Sequence, residues 1–102
     1  MPTLHSRKKV ELIVERARLE EILEVAQEAG AKGYTVLPTL SGLGNRGERA
    51  DDLTGVGGNV LVVIITRDAV AHRSVELLAE LWGDAIGVLF VSDVEVLRPD
   101  KF

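Results

Sequence analysis

Asn59 to Thr66 reads NVLVVIIT, an apolar run that is continuous rather than alternating. Such a run is the pattern of a central strand covered on both faces, so it belongs in the core. Any fold open to the chain must place other elements around this strand, and the neighbouring segments supply them. Lys8 to Val14 (KKVELIV) alternates imperfectly, with Val10, Leu12 and Val14 on one side, and reads as a strand. Leu19, Ile22, Leu23 and Ala26 recur at helical spacing, with Glu20, Glu21 and Glu24 off the stripe, which predicts a helix ending near Gly30. Tyr34 to Leu40 (YTVLPTL) is again strand-like. Its Pro38 cannot donate a ladder hydrogen bond, so this strand lies on an edge, is bulged or ends there. Val70 to Trp82 carries Val75, Leu78, Ala79 and Trp82 at helical spacing, and Val88 to Leu97 (VLFVSDVEVL) returns to strand.

The order is β-α-β-β-α-β, which predicts an α+β, ferredoxin-like sandwich: an antiparallel sheet with two helices on one face. The chain's own helices then cover one side of the apolar strand only. Homo-oligomerisation through the sheet, as a closed symmetric ring, is the economical cover for the other side. The alternative is that small residues and edge contacts suffice there.

At 102 residues and 46% hydrophobic, the chain is sized for a single domain, 1–102, with one core. The formal net charge of -4 offers no general attraction for nucleic acid or anionic lipid, and Arg7, Lys8, Lys9, Arg16 and Arg18 read as solvated surface. There is no cysteine, which removes disulfides, thiolate catalysis and cysteine-ligated metals and fits a reducing cytoplasm. Val60 to Ile65 is far shorter than the roughly 18 residues of a membrane span, and the N-terminus lacks a signal-peptide pattern. A soluble cytoplasmic protein without membrane insertion is expected.

Chemistry is sought first in Ser41 to Gly58 (SGLGNRGERADDLTGVGG), since connections in small domains usually have about 4 to 6 residues. Enzymatic groups are lacking. His5, in a terminus expected to fray, and His72, at the start of a helix, lie far apart with no local carboxylate pairing, and Ser41 lacks the flanking pattern of a nucleophile elbow. Glu48, Asp51 and Asp52 offer oxygens to a hard cation, but their spacing matches no EF-hand and acidic loops are common. No catalytic or metal site is expected. Phosphate recognition has better grounds. Gly42, Gly44 and Gly47 permit positive φ and close backbone approach, so their amides, with those of Leu43 and Asn45, can converge on an anion, and Arg46 and Arg49 can add charged donors. The competing reading is a plain flexible loop. G-L-G-N-R-G is neither a Walker A loop nor a dinucleotide fingerprint.

Two further candidates lie downstream. W-G-D-A-I-G (Trp82 to Gly87) is a second glycine turn, and the tail L-R-P-D-K-F places Arg98 and Lys101 around a stiffening proline. In this topology the loop after the second strand and the turn before the last need not meet within one subunit, but across a subunit interface they can.

G-Y-T-V (Gly33 to Val36), G-L-G-N-R-G (Gly42 to Gly47), G-D-A-I-G (Gly83 to Gly87) and above all F-V-S-D-V-E (Phe90 to Glu95) resemble, in order and approximate spacing, the motifs of the PII signalling proteins. The resemblance covers nearly the whole chain. It implies a homotrimer that binds adenine nucleotides in the clefts between subunits. It matches Thr35 to an adenine contact, and Gly42, Leu43, Gly44, Asn45 and Arg46 to the base of a mobile T-loop (about 42–58) that wraps the phosphates. Gly83, Asp84, Ala85, Ile86 and Gly87 match the B-loop, Asn59 the backbone contacts to the base, and Arg98 and Lys101 the basic contribution of the C-terminal tail, 98–102.

The departures from the family are informative. The loop is short and has no tyrosine, so the tyrosine-modification switch of the nitrogen-regulating branch is absent, and the glutamine usual after the loop arginine is replaced by Gly47. That glutamine serves magnesium and 2-oxoglutarate in the family. The B-loop runs on as Ala-Ile-Gly-Val-Leu where a phosphate-binding lysine is usual, which shifts the expected ligand toward ADP or AMP and away from ATP. Short loop, missing lysine and R-P-D-K-F ending look like the PII-like branch associated with carboxysomes or bicarbonate transporters. That implies bicarbonate as a second ligand, held near Gly44, Asn45, Arg46 and Gly47, and a target protein such as a bicarbonate transporter or carboxysome component. The implied mechanism is ligand-gated ordering of the glycine-rich loop. Two rivals stand beside it: a trimeric metal-handling protein of the copper-tolerance type, disfavoured by the lack of cysteine and of a convergent histidine set, and a nucleotide-hydrolysing PII-like enzyme.

Overall fold

The computed structural model of the chain describes residues 2–39, 41–44, 47–50, 58–82 and 87–102, with the side chains of 41–44, 47–50 and 82 outside that description. In chain order the elements are β1 (His5–Glu15), α1 (Leu19–Ala29), β2 (Thr35–Pro38), β3 (Ser41–Gly44), β4 (Gly47–Ala50), β5 (Asn59–Thr66), α2 (Asp68–Trp82) and β6 (Val88–Val96). Short 3-10 turns occupy Arg16–Arg18 and Pro99–Lys101. The main sheet has the order β2-β5-β1-β6, antiparallel throughout, and β3 and β4 form a separate two-stranded hairpin. This is the expected α+β ferredoxin-like arrangement.

Register decides which side chains share a face. Val36, Val62, Leu12 and Leu89 lie opposite one another across all four strands, flanked by Val10 with Ile64 and Val14 with Val60. Val10, Leu12, Val14, Val60, Val62 and Ile64 are all buried, packed with Ile22 and Ala26 of α1 and Ala71 and Leu78 of α2. Within α2 the buried Ser74 is satisfied locally, its Oγ donating to the Val70 carbonyl at 2.8 Å. Gly30 closes α1 in a left-handed conformation, φ 111°, with its N–H turned back onto the Ala26 and Gln27 carbonyls, as its place after the apolar stripe predicts.

The opposite face is a different surface. One row across the sheet reads Leu37, Leu61, Ile13 and Val88, and the next reads Thr35, Val63, Glu11 and Phe90. Leu37, Val88 and Phe90 are 43%, 52% and 44% exposed, and Leu61, Val63 and Ile65 are half-buried. Lys9 and Glu11 pair on this face at 3.1 Å, the one charged interruption in it among the described ion pairs. The continuous apolar run of β5 is therefore covered by the chain's own helices on one side only.

Three boundaries differ from the sequence reading. β1 starts at His5 rather than Lys8, so His5 is a paired strand residue opposite Val96 and not a frayed terminus. The polar stretch HSRKK is held by its backbone ladder to β6, joined by β5 only from Lys8 onward, whatever its side chains. β2 ends at Pro38, as the missing donor there requires. β3 and β4 appear inside a stretch read as loop, pairing Ser41 with Ala50, Gly42 with Arg49, Leu43 with Glu48 and Gly44 with Gly47.

Leu12 has no exposed surface and sits in the row that runs through all four strands. Leu12→Ala should lower the unfolding free energy by about 2 to 5 kcal/mol, read from the denaturant midpoint at fixed protein concentration.

Candidate functional site

The segment between β2 and β5 leaves the sheet from a root that is tied shut. Thr39 Oγ1 donates to the Asn59 carbonyl at 3.2 Å, with the Thr39 N–H on the same oxygen at 3.5 Å, and the Arg16 N–H donates to the Gly58 carbonyl at 3.1 Å. Gly58 reaches that geometry with φ 75°, a backbone conformation that favours glycine. Gly87, where the chain re-enters β6, has φ 82°, and a Cβ there would collide with the Ile13 carbonyl oxygen. Because Asn59 lies opposite Glu15 and Val88 opposite Ile13, the loop root and Gly87 share one end of the sheet.

The tail is at the other end. Val96 pairs with His5, and the turn that follows carries Arg98 and Lys101. His5 to Ile13 spans about 26 Å at roughly 3.3 Å per residue. One subunit thus brings Asn59, Gly87 and the root of the 42–58 segment together, and keeps Arg98 and Lys101 away from them. Thr35 lies between the two ends, exposed on the helix-free face in the row of Val63.

Asn45, Arg46, Gly83, Asp84, Ala85 and Ile86 lie outside the described residues, and for Gly42, Leu43, Gly44 and Gly47 the backbone alone is described. Their backbone runs in the β3–β4 ladder, where successive amides point alternately toward and away from the partner strand. That differs from the expected nest in which consecutive amides converge. The sequence reading did not find Thr39, Arg16, Arg7 or Lys32. All four act on or through backbone groups, and a carbonyl acceptor leaves no trace in residue type.

A groove of about 420 Å³ runs along α2 and the outer strand, lined by Lys8, Asp68, Ala71, His72, Val75, Glu76 and Val91. Lys8 hydrogen-bonds Asp93, its partner in register, and stands 3.9 Å from Asp68. The Asp93 hydrogen bond and charge, aided by Asp68, hold the Lys8 ammonium above its ordinary value. The groove is separate from the loop root and brings no base to a nucleophile. Among the described residues no three His, Cys, Asp or Glu side chains converge as metal ligands.

The family profile described as "Nitrogen regulatory protein P-II" matches residues 7–101. The chain belongs to the PII family. Among solved structures it is similar to CPII, a nitrogen regulatory PII-like protein from Thiomonas intermedia K12. The form bound to ADP, AMP and bicarbonate has TM-score 0.90 and 29% identity, covering 100% of this chain and 98% of that one. The form bound to ADP and bicarbonate has TM-score 0.90 and 30% identity, covering 100% and 99%. GlnK of B. subtilis in complex with ATP, at TM-score 0.62 and 16% identity over 87% of this chain and 82% of that chain, shares the fold. In this PII chain no helix among the described residues is long and apolar enough to cross a membrane.

Gly87 is the residue of the B-loop match whose geometry can be tested alone. Gly87→Ala should cost at least about 1 to 2 kcal/mol of stability from the left-handed backbone, with more from the Ile13 collision. Gly33→Ala, where an added Cβ meets nothing within 4 Å, should cost none, both measured by denaturant unfolding.

Proposed function

We propose that this PII protein is a regulatory sensor, not an enzyme, and that its adenine-nucleotide site is completed between subunits of a homotrimer. The observation that carries the reading is the split of the candidate residues between opposite ends of one sheet whose helix-free face is apolar. Packing such faces together around a symmetry axis buries Leu37, Leu61, Val88 and Phe90 and brings the loop root of one subunit near the tail of another. CPII, similar over its whole length, is bound to ADP, AMP and bicarbonate, which supports the same ligands here.

In this reading the whole chain is one PII-like unit. Thr35 and the backbone at Asn59 meet the adenine, the 83–87 turn and Gly42–Arg46 meet the phosphates, and Arg98 with Lys101 come from the neighbour. With no lysine in G-D-A-I-G-V-L, ADP or AMP is favoured over ATP. Bicarbonate binds beside Gly44, Asn45, Arg46 and Gly47. Ligand-dependent ordering of 42–58 is the output, read in the cytoplasm by a target protein of inorganic carbon metabolism. A ligand biases that loop only by its differential affinity for the ordered form.

Calorimetry against ADP, AMP, ATP and cyclic AMP, with and without bicarbonate, tests the reading: heat is expected with ADP and AMP and less with ATP. No heat with any nucleotide would sink it, and turnover would replace it with the enzyme. Arg46→Ala should weaken ADP by about 1.5 to 3 kcal/mol with the oligomer intact, and an unchanged affinity removes Arg46 from the site.

A further inference from the structure

The turn at Pro99–Lys101 has no fully buried residue, and Pro99 and the following Phe102 are half-buried. Its internal hydrogen bonds, Lys101 N–H to the Arg98 carbonyl at 3.1 Å and Phe102 N–H to the Pro99 carbonyl at 3.2 Å, close the turn without attaching it to the sheet. The described hydrogen bonds that attach it come from two cations. Arg7 on β1 donates from Nη2 to the Pro99 carbonyl at 3.0 Å, and Lys32, in the connection before β2, donates from Nζ to the Asp100 carbonyl at 3.2 Å. Since β1 and β2 are separated by β5, the turn starting from the outer strand β6 is led across the end of the sheet. Arg7 also donates from Nη1 to the Ser6 carbonyl at 2.8 Å, which fixes the guanidinium on its own strand. Its Nε is buried with no hydrogen-bond partner among the described residues.

We infer that Arg7 and Lys32 are positioning residues for nucleotide binding: they clamp the C-terminal turn by its backbone and so set where Arg98 and Lys101 present their charges to the ligand. The clamp acts on carbonyls, so it leaves both basic side chains of the turn unconsumed. An exposed turn not tied down in this way is mobile, and a cation on a mobile segment is spread over many positions. The inference rests on the reading of Arg98 and Lys101 as ligand contacts, and the test separates the two.

ADP affinity is measured by calorimetry on the full chain for Arg7→Gln, Arg7→Lys, Lys32→Gln, the double variant Arg98→Ala with Lys101→Ala, and that double variant carrying Arg7→Gln. Arg7→Gln should weaken ADP about fivefold to twentyfold. Arg7→Lys, which keeps one donor for the Pro99 carbonyl, should recover part of the loss, and Lys32→Gln should weaken ADP about twofold to fivefold. On the double variant Arg7→Gln should add nothing, because the charges it positions are gone, and amide exchange at Lys101 and Phe102 should quicken in Arg7→Gln. A merely structural Arg7 would give losses that add on the double variant, and that result overturns the inference. So does wild-type ADP affinity in Arg7→Gln and Lys32→Gln beside a weakened double variant. If the double variant itself binds ADP as the wild type does, the tail is not a ligand contact and the reading fails together with the clamp. Lys32 is exposed, so Lys32→Gln carries the test should Arg7→Gln fail to fold.

Discussion

β5 is apolar on both faces, and the chain supplies helices for one of them. Val60, Val62 and Ile64 are closed off beneath α1 and α2, while Leu61, Val63 and Ile65 look onto a face that continues through Leu37, Val88 and Phe90. At about 25 cal/mol per Å² of apolar surface removed from water, a face of this make-up is a standing drive toward association. A second such face is its natural complement, since Lys9 and Glu11 already neutralise each other within it. The proposed homotrimer and the proposed nucleotide cleft are two consequences of that single excess of apolar surface.

The antiparallel register turns this into a division of labour along the strands. One end of the sheet holds the tied root of the 42–58 segment and the glycine that lets the chain pass against Ile13. The other end holds a polar turn fastened through its carbonyls by Arg7 and Lys32. Neither end has the full set of candidate ligand contacts. In the proposed trimer, a site built from both ends reports on assembly as well as on nucleotide.

The fold was legible in the sequence wherever burial imposes a period. The run at Val60 to Ile65, the stripe from Leu19 to Ala26 and the glycines at helix and strand ends led to the right order of the main-sheet strands and two helices, and Pro38 marked the end of β2. What was not legible has a common physical origin. The start of β1 is polar and is held by backbone pairing to β6, with β5 joining only from Lys8, so His5 to Lys9 carries no hydrophobic signal. β3 and β4 are four residues each with three glycines between them, too short and too bare for alternation to register. Of the candidate site, the glycine at 87 and the tie at Asn59 have visible structural reasons. The Thr39 staple and the Arg7 and Lys32 clamp end on carbonyl oxygens that every residue has.

The claim that the site is shared between subunits is tested most directly by complementation. An Arg46→Ala protein, altered at the loop, and an Arg98→Ala, Lys101→Ala protein, altered at the tail, are dissociated, mixed and reassembled, and ADP binding is titrated. If loop and tail of one site come from different subunits, the mixed assemblies regain a fraction of sites with wild-type affinity, although neither parent has any. A mixture that binds ADP no better than its parents would contradict a shared site.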